Sequence, residues 1–300
     1  EKAMRTLTLL IGFTLAVPVA GQERRAMTTD DGLDMVQVGG ATISPDGSWV
    51  LFSKSELNWE ENERETTWWR VSAEGGEPYR YIGEEGGGNF QFSPDGSKLA
   101  FTRSVDDESQ LFSLPTTGGE AVQLSEHETS IGSYAWSEDG STIFFVATEP
   151  RTEEEEKARE AGYDAIFVDE GPNGQQGGNW NNLWLIEVES GEEERLTDSD
   201  HRIGSFSVAP NADRIVFTSR SENRRNQQNL TEIRLLEIET GAIRQLTDNN
   251  APEGRLSWAP DGRLFAYTAR TDGEWELLLD KIWVMDHETG VRRIVSGAFD

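Results

Sequence analysis

Residues 88–101 read Gly88-Asn89-Phe90-Gln91-Phe92-Ser93-Pro94-Asp95-Gly96-Ser97-Lys98-Leu99-Ala100-Phe101, and this stretch decides the fold. Its middle is a turn: Pro94 presets φ, Asp95 bonds the local backbone, and Gly96 accepts a left-handed conformation. Phe90 and Phe92 stand two residues apart before the turn, so both side chains lie on one face of a strand. Leu99, Ala100 and Phe101 follow it as a strand apolar on both faces, which must be covered on both faces. The stretch is a hairpin that needs neighbours on either side.

The same register recurs. Turns stand at 44–47, 93–96, 137–140, 209–212 and 259–262, spaced by 49, 44, 72 and 50 residues. Five positions before each is a glycine: Gly39, Gly88, Gly132, Gly204 and Gly254. Three before stand Ala41, Phe90, Tyr134, Phe206 and Leu256; one before stand Ile43, Phe92, Trp136, Val208 and Trp258. Eight after the turn's first residue come Phe52, Phe101, Phe145, Phe217 and Tyr267. Second hairpins follow, as in Leu183–Ile186 before Gly191 and Ile282–Met285 before Gly290. Their return strands end in Leu124-Ser125, Leu196-Thr197, Leu246-Thr247 and Val295-Ser296. Two hairpins make four strands, and three of the four intervals fit one four-stranded blade. Blades sandwiched between blades supply the cover that the strands require.

The expected fold is therefore all-β, a β-propeller of four-stranded blades over residues 22–300 with five repeats visible. The repeat spacing would place a sixth unit just past Asp300, so a propeller cut before closure is the expectation. The interval of 72 holds an insertion at about 149–182. A helix is expected at Glu153–Ala161, where acids lead and bases follow in keeping with the helix dipole. A short strand at Asp164–Val168 and a Gly/Asn/Gln loop at Gly171–Asn182 complete the insertion. It reads equally as a functional lid or rim and as a tolerated loop excursion.

Residues 1–21 read as an export signal with preceding residues. Met4-Arg5 is a basic start, Leu7–Val17 an apolar run, and Val19-Ala20-Gly21 a small-residue cleavage region. The expectation is an exported chain, periplasmic or secreted, that does not span a membrane once the signal is removed; the run is too short for a stable crossing. The 300 residues carry 27 Lys and Arg against 55 Asp and Glu, a net charge of −28. Such a field repels nucleic acid and anionic lipid; it reads as a solvated acidic surface, against a preference for cationic ligands or a salty habitat. With no Cys, thiol catalysis and thiolate metal sites are excluded from these residues.

Chemistry is sparse. The chain lacks the Gly-x-Ser-x-Gly pentad of a nucleophile elbow. His127, His201 and His287 have no recognisable partners and read as exposed loop residues. Metal-ligand spacings such as His-x-His and His-Glu-x-x-His are missing. Gly86-Gly87-Gly88 precedes a strand rather than a helix, so it reads as a loose blade junction and not a phosphate cradle. Arg220, Arg224 and Arg225 read as a solvated hairpin tip, against a carboxylate- or phosphate-binding alternative. Trp68-Trp69 and Trp180 with Trp184 read as strand-packed core, against an aromatic binding surface. No catalytic, cofactor or metal residues are assigned.

The Ser-Pro-Asp-Gly turns and Leu-Thr strand ends resemble the repeats of TolB-like propellers and of the N-terminal propellers of prolyl oligopeptidase-family serine peptidases. The inserted Glu156–Ala165, running into Phe167-Val168-Asp169-Glu170, is similar to a segment in exported acylaminoacyl- and dipeptidyl-peptidase-like members. The resemblance implies a downstream α/β-hydrolase domain with a Ser-Asp-His triad, and a propeller that admits only short peptides to it. It implies as partners that hydrolase domain and the peptide substrates, and no cofactor. Two other expectations stand beside it: a TolB-like periplasmic binding propeller without catalysis, and a propeller fused to an amidohydrolase.

Overall fold

The computed structural model describes residues 25–162, 180–223, 230–249, 251–271 and 279–297. The chain forms five antiparallel four-stranded sheets, each a meander. The first is β1 (Gln37–Ile43), β2 (Trp49–Asn58), β3 (Glu63–Ser72) and β4 (Tyr79–Arg80). The second is β5 (Gly88–Phe92), β6 (Lys98–Val105), β7 (Glu108–Pro115) and β8 (Val122–Gln123). The third is β9 (Ile131–Trp136), β10 (Thr142–Thr148), β11 (Asn181–Glu187) and β12 (Glu193–Arg195). The fourth is β13 (Arg202–Val208), β14 (Arg214–Arg220), β15 (Glu232–Glu237) and β16 (Ala242–Gln245). The fifth is β17 (Glu253–Trp258), β18 (Leu264–Ala269), β19 (Lys281–Asp286) and β20 (Arg292–Ile294). These are the five expected repeats.

The second strand of each blade explains the stacking. In β6, Leu99 and Phe101 pack with Trp49, Leu51 and Phe90 toward the first sheet, while Ala100 joins Tyr134 and Phe145 toward the third. In β10, Ile143 and Phe145 face the second sheet, and Phe144 and Val146 face the fourth. In β14, Ile215 and Phe217 join the third-sheet cluster while Val216 joins the fifth. Alternation along one strand thus feeds two cores, which is why these strands are apolar throughout. Each fully buried large side chain contributes about 1.5–3 kcal/mol.

The turns are built as their residues suggest. Ser44 Oγ donates to Asp46 Oδ1 at 2.5 Å, and Asp46 also accepts from the Ser48 amide at 3.0 Å. Ser93 with Asp95, and Ser137 with Asp139, repeat the pattern at 2.6 Å each. Successive turns also touch. A Cβ added at Gly96 would lie 3.4 Å from the Pro45 ring, one at Gly140 would lie 3.6 Å from Pro94, and one at Gly262 would lie 3.6 Å from Pro210. The fourth turn carries Ala212 in place of the glycine, at φ 53°. The turn before it has Glu138 in place of the proline. The methyl group occurs where the ring does not.

The Leu-Ser/Thr strand ends also have a physical reason. Where the outer strand stops, its hydroxyl continues the ladder. Ser125 Oγ accepts the Leu111 amide at 2.8 Å, Thr197 Oγ1 that of Leu183 at 3.0 Å, Thr247 Oγ1 that of Ile233 at 2.7 Å, and Ser296 Oγ that of Ile282 at 2.8 Å. In the second and third sheets the hydroxyl donates in turn to a buried amide, Gln110 Oε1 at 2.8 Å or Asn182 Oδ1 at 2.6 Å.

Among the described residues two helices decorate the sheets. The first, α1 (Thr29–Leu33), is held by a capping box between Thr28 and Asp31. The second, α2 (Glu153–Glu160), is the helix expected in the insertion. Thr152 caps it, accepting from the Glu155 amide at 3.3 Å while Glu155 accepts from the Thr152 amide at 2.8 Å. The strand expected at Asp164–Val168, the export signal over residues 1–21, and Arg224 and Arg225 lie outside the described residues. Among the described residues no helix is long and apolar enough to cross a membrane.

Candidate functional site

A cleft of about 680 Å³ opens where the innermost strands β1, β5 and β9 of the first three sheets meet. The same local event shapes all three walls. Gly39 pairs with Ser53 and Thr42 with Leu51, so two residues of β1 oppose one of β2. The same bulge occurs between Gly88 and Gln91, Ile131 and Tyr134, Ile203 and Phe206, and Gly254 and Ser257. A bulge bends the inner strand and leaves backbone groups free of the ladder. Gly40, Asn89 and Arg255 adopt positive φ there, at 58°, 54° and 50°. The glycine that recurs beside each bulge is visible in the sequence, but the bulge is not. Its trace is the close approach of backbone to neighbour: a Cβ added at Gly132 or Gly204 would lie 3.3 Å or 2.7 Å from second-strand atoms.

The floor of the cleft is aromatic. Trp68 and Phe90 lie 4.4 Å apart, ring centre to ring centre. Hydrogen bonds between sheets fix the walls. Trp68 Nε1 donates to the Gly87 carbonyl at 3.1 Å, Gln91 Nε2 to the Tyr134 carbonyl at 2.9 Å, and the Tyr134 hydroxyl to the Asn89 carbonyl. Burial raises the pKa of the Tyr134 phenol, so it remains a neutral donor. Among the described residues that line it there is no carboxylate, imidazole or amine. The cleft offers apolar contact and backbone hydrogen-bonding groups to an extended chain.

The candidate residues named from the sequence sit elsewhere, and several need correction. The histidines lie in loops and turns, as expected, but none is exposed. His127 Nδ1 bonds Glu193 Oε2 at 2.6 Å, and its ring packs edge-on against Trp184 and Phe145. His201 is half-buried with Nδ1 unpartnered, and desolvation, followed by the charge of Arg234, lowers its pKa. His287 is buried against Trp258, with Arg214 beside it. Residues distant in the chain supply this cover, which no local window of sequence shows. In Gly86-Gly87-Gly88 only the middle residue is tightly held: a Cβ at Gly87 would meet Phe101 at 2.5 Å, while Gly86 and Gly88 face open space. Arg220 is partly buried, its guanidinium bonded to Asn223 at 2.8 Å, rather than lying free at a hairpin tip. Trp68 and Trp184 pack on buried clusters, as expected. Among the described residues, no group of three or more His, Asp or Glu could hold a metal ion.

No family model matches the chain. It is 28% identical over 207 residues to the uncharacterized peptidase YuxL of Bacillus subtilis, covering 65% of this chain and 31% of that protein. The chain thus spans about a third of the length of this curated relative. Among solved structures, an acylaminoacyl peptidase of Pyrococcus horikoshii matches with a TM-score of 0.63 at 19% identity, covering 90% of this chain and 41% of that one. TolB of Acinetobacter baumannii matches with a TM-score of 0.51 at 14% identity, covering 86% of this chain and 52% of that one. The fold of this chain, five four-stranded blades, is the β-propeller fold that these TolB and acylaminoacyl peptidase structures share.

Proposed function

We propose that this chain is the substrate-gating propeller of an exported serine peptidase that cleaves short peptides, with the catalytic domain beyond residue 300. The observation that carries the reading is the match to a peptidase over 207 residues of the propeller itself. The cleft supports it: a peptide has the backbone groups to meet those left free at the bulges, and small apolar side chains to meet Trp68 and Phe90. The site selects and does not cut. The acidic field of the chain favours peptides whose free N-terminus is protonated. With the export signal read at residues 1–21, the protein works in the periplasm or outside the cell.

Two measurements test this together. A serine-hydrolase probe should label the longer gene product and leave the 300-residue chain unlabelled. The longer product should hydrolyse di- to tetrapeptide substrates and spare folded proteins. Labelling of the 300-residue chain, or a gene product without Gly-x-Ser-x-Gly after residue 300, would sink the proposal. The likeness to TolB favours a second reading, an envelope protein-binding propeller without catalysis. Under that reading a protein partner, not a peptide, occupies the cleft.

A further inference from the structure

The hydroxyl motif at the strand ends changes in the fourth sheet. Glu232 stands at the repeat position of Gln110 and Asn182. The Thr247 hydroxyl donates to Glu253 Oε2, at 2.5 Å, while standing close enough to Glu232 to favour its ionised form, and Glu253 belongs to β17 of the fifth sheet. Glu253 in turn occupies the repeat position of Ile131 and Ile203, each 3% exposed, and is itself 7% exposed. Two carboxyl groups therefore replace an amide and an isoleucine at the seam between two blades.

Their hydrogen bonds do not balance if both are ionised. Glu253 Oε2 also accepts the Ile233 amide at 3.1 Å, and its Oε1 accepts Asn249 Nδ2 at 2.9 Å. Glu232 Oε1 accepts the Asn249 amide at 2.9 Å, but Glu232 Oε2 is buried without a partner. One threonine hydroxyl thus stands between two acceptors. The charged groups acting on Glu232 are Arg234 on β15 and Asp248 in the loop after β16. Glu253 feels the negative charge of Glu232. A single added proton resolves the deficit. A Glu253 hydroxyl donates to Thr247 Oγ1, and the Thr247 hydroxyl turns to Glu232, as Ser125 does to Gln110 and Thr197 to Asn182.

We propose that the seam between the fourth and fifth blades is closed by one proton, held on Glu253 and relayed through Thr247 to Glu232, and that it loosens when the proton leaves. Burial pushes Glu253 up to about 7, against the hydrogen bonds from Thr247 and Asn249. An acid raised on folding is most favourable to the folded state below its unfolded pKa. Its contribution falls as pH rises and is fully lost above about 7.

The test uses the full chain and infrared difference spectra taken between pH 5 and 9. The expected result is a protonated-carboxyl stretch that bleaches near neutrality and is missing from Glu253→Ile. The melting temperature should fall over the same range in the parent. It should be flat in Glu232→Gln/Glu253→Ile, which installs the residues of the other repeats. Glu232→Gln alone should move the bleaching to lower pH by removing the neighbouring negative charge, and it decides the matter even if the isoleucine variants do not fold. A parent without the band at pH 6, or a midpoint indifferent to Glu232→Gln, would overturn the proposal.

Discussion

Replacing a repeat glycine by alanine should have opposite effects in two adjacent blades. At Gly204 an added Cβ would sit 2.7 Å from Thr218 Oγ1, a contact real side chains do not make. Thr218 is buried and its Oγ1 accepts the Ser205 amide at 3.0 Å, so turning the hydroxyl away strands a backbone donor in the bulge. An unsatisfied buried donor costs about 1–3 kcal/mol. Reduced freedom of the unfolded chain returns about 0.4–1 kcal/mol. The net expectation for Gly204→Ala is a loss of about 1–2 kcal/mol. At Gly254 the nearest atom to an added Cβ is Thr268 Oγ1 at 3.8 Å, an ordinary contact. Gly254→Ala should therefore be neutral or stabilising by up to about 1 kcal/mol. Urea unfolding followed by tryptophan fluorescence reads both. Pairing Gly204→Ala with Thr218→Ala should recover part of the loss, because the obstructing oxygen is gone. Equal effects at the two glycines, or strict additivity in the pair, would refute the reasoning.

Thr197→Val should cost about 1–3 kcal/mol, since it leaves the buried Leu183 amide without its 3.0 Å acceptor; urea unfolding measures it. Ser44→Ala should raise the Asp46 pKa, now held at about 2 first by the Ser44 hydroxyl and then by Ser48. NMR titration of the carboxyl carbon reads this shift. The sign for stability is that of a depressed acid: the contribution is present above the unfolded pKa and lost as pH falls through about 2. Tyr134→Phe removes the donor to the Asn89 carbonyl and should loosen the cleft wall by about 1 kcal/mol. Faster amide exchange over residues 88–91 is the expected signature, and unchanged protection there would argue against a wall fixed by that bond.

Most of the fold could be read because its determinants are local. Pro94, Asp95 and Gly96 specify a turn within four residues, and Leu99-Ala100-Phe101 state the need for cover on both faces. The helix at Glu153–Glu160 announces itself through the run of acids before Lys157. The cleft was not legible. Each bulge adds its extra residue between the glycine and the next inward apolar residue, where the spacing of two that marks Phe90 and Phe92 is undisturbed. The burial of His127 and His287 escaped for another reason: Trp184 and Trp258 lie 57 and 29 residues away in sequence. Glu253 looked like one acid among many because its repeat position differs in chemistry, not in spacing.

The contact between successive turns bears on how such a chain could have been assembled by duplication. The glycines of the second, third and fifth turns each face the proline of the turn before, ring against bare backbone, and in the fourth turn Ala212 follows a turn with Glu138 in the proline's place. A blade copied or exchanged by itself would carry its own glycine or alanine into the company of a stranger's proline or glutamate. Ala212 placed after Pro45 or Pro94 would set a methyl group against a proline ring. Each turn faces both ways, its second residue toward the turn after it and its fourth toward the turn before it, so an exchanged blade has to be matched to both of its new neighbours.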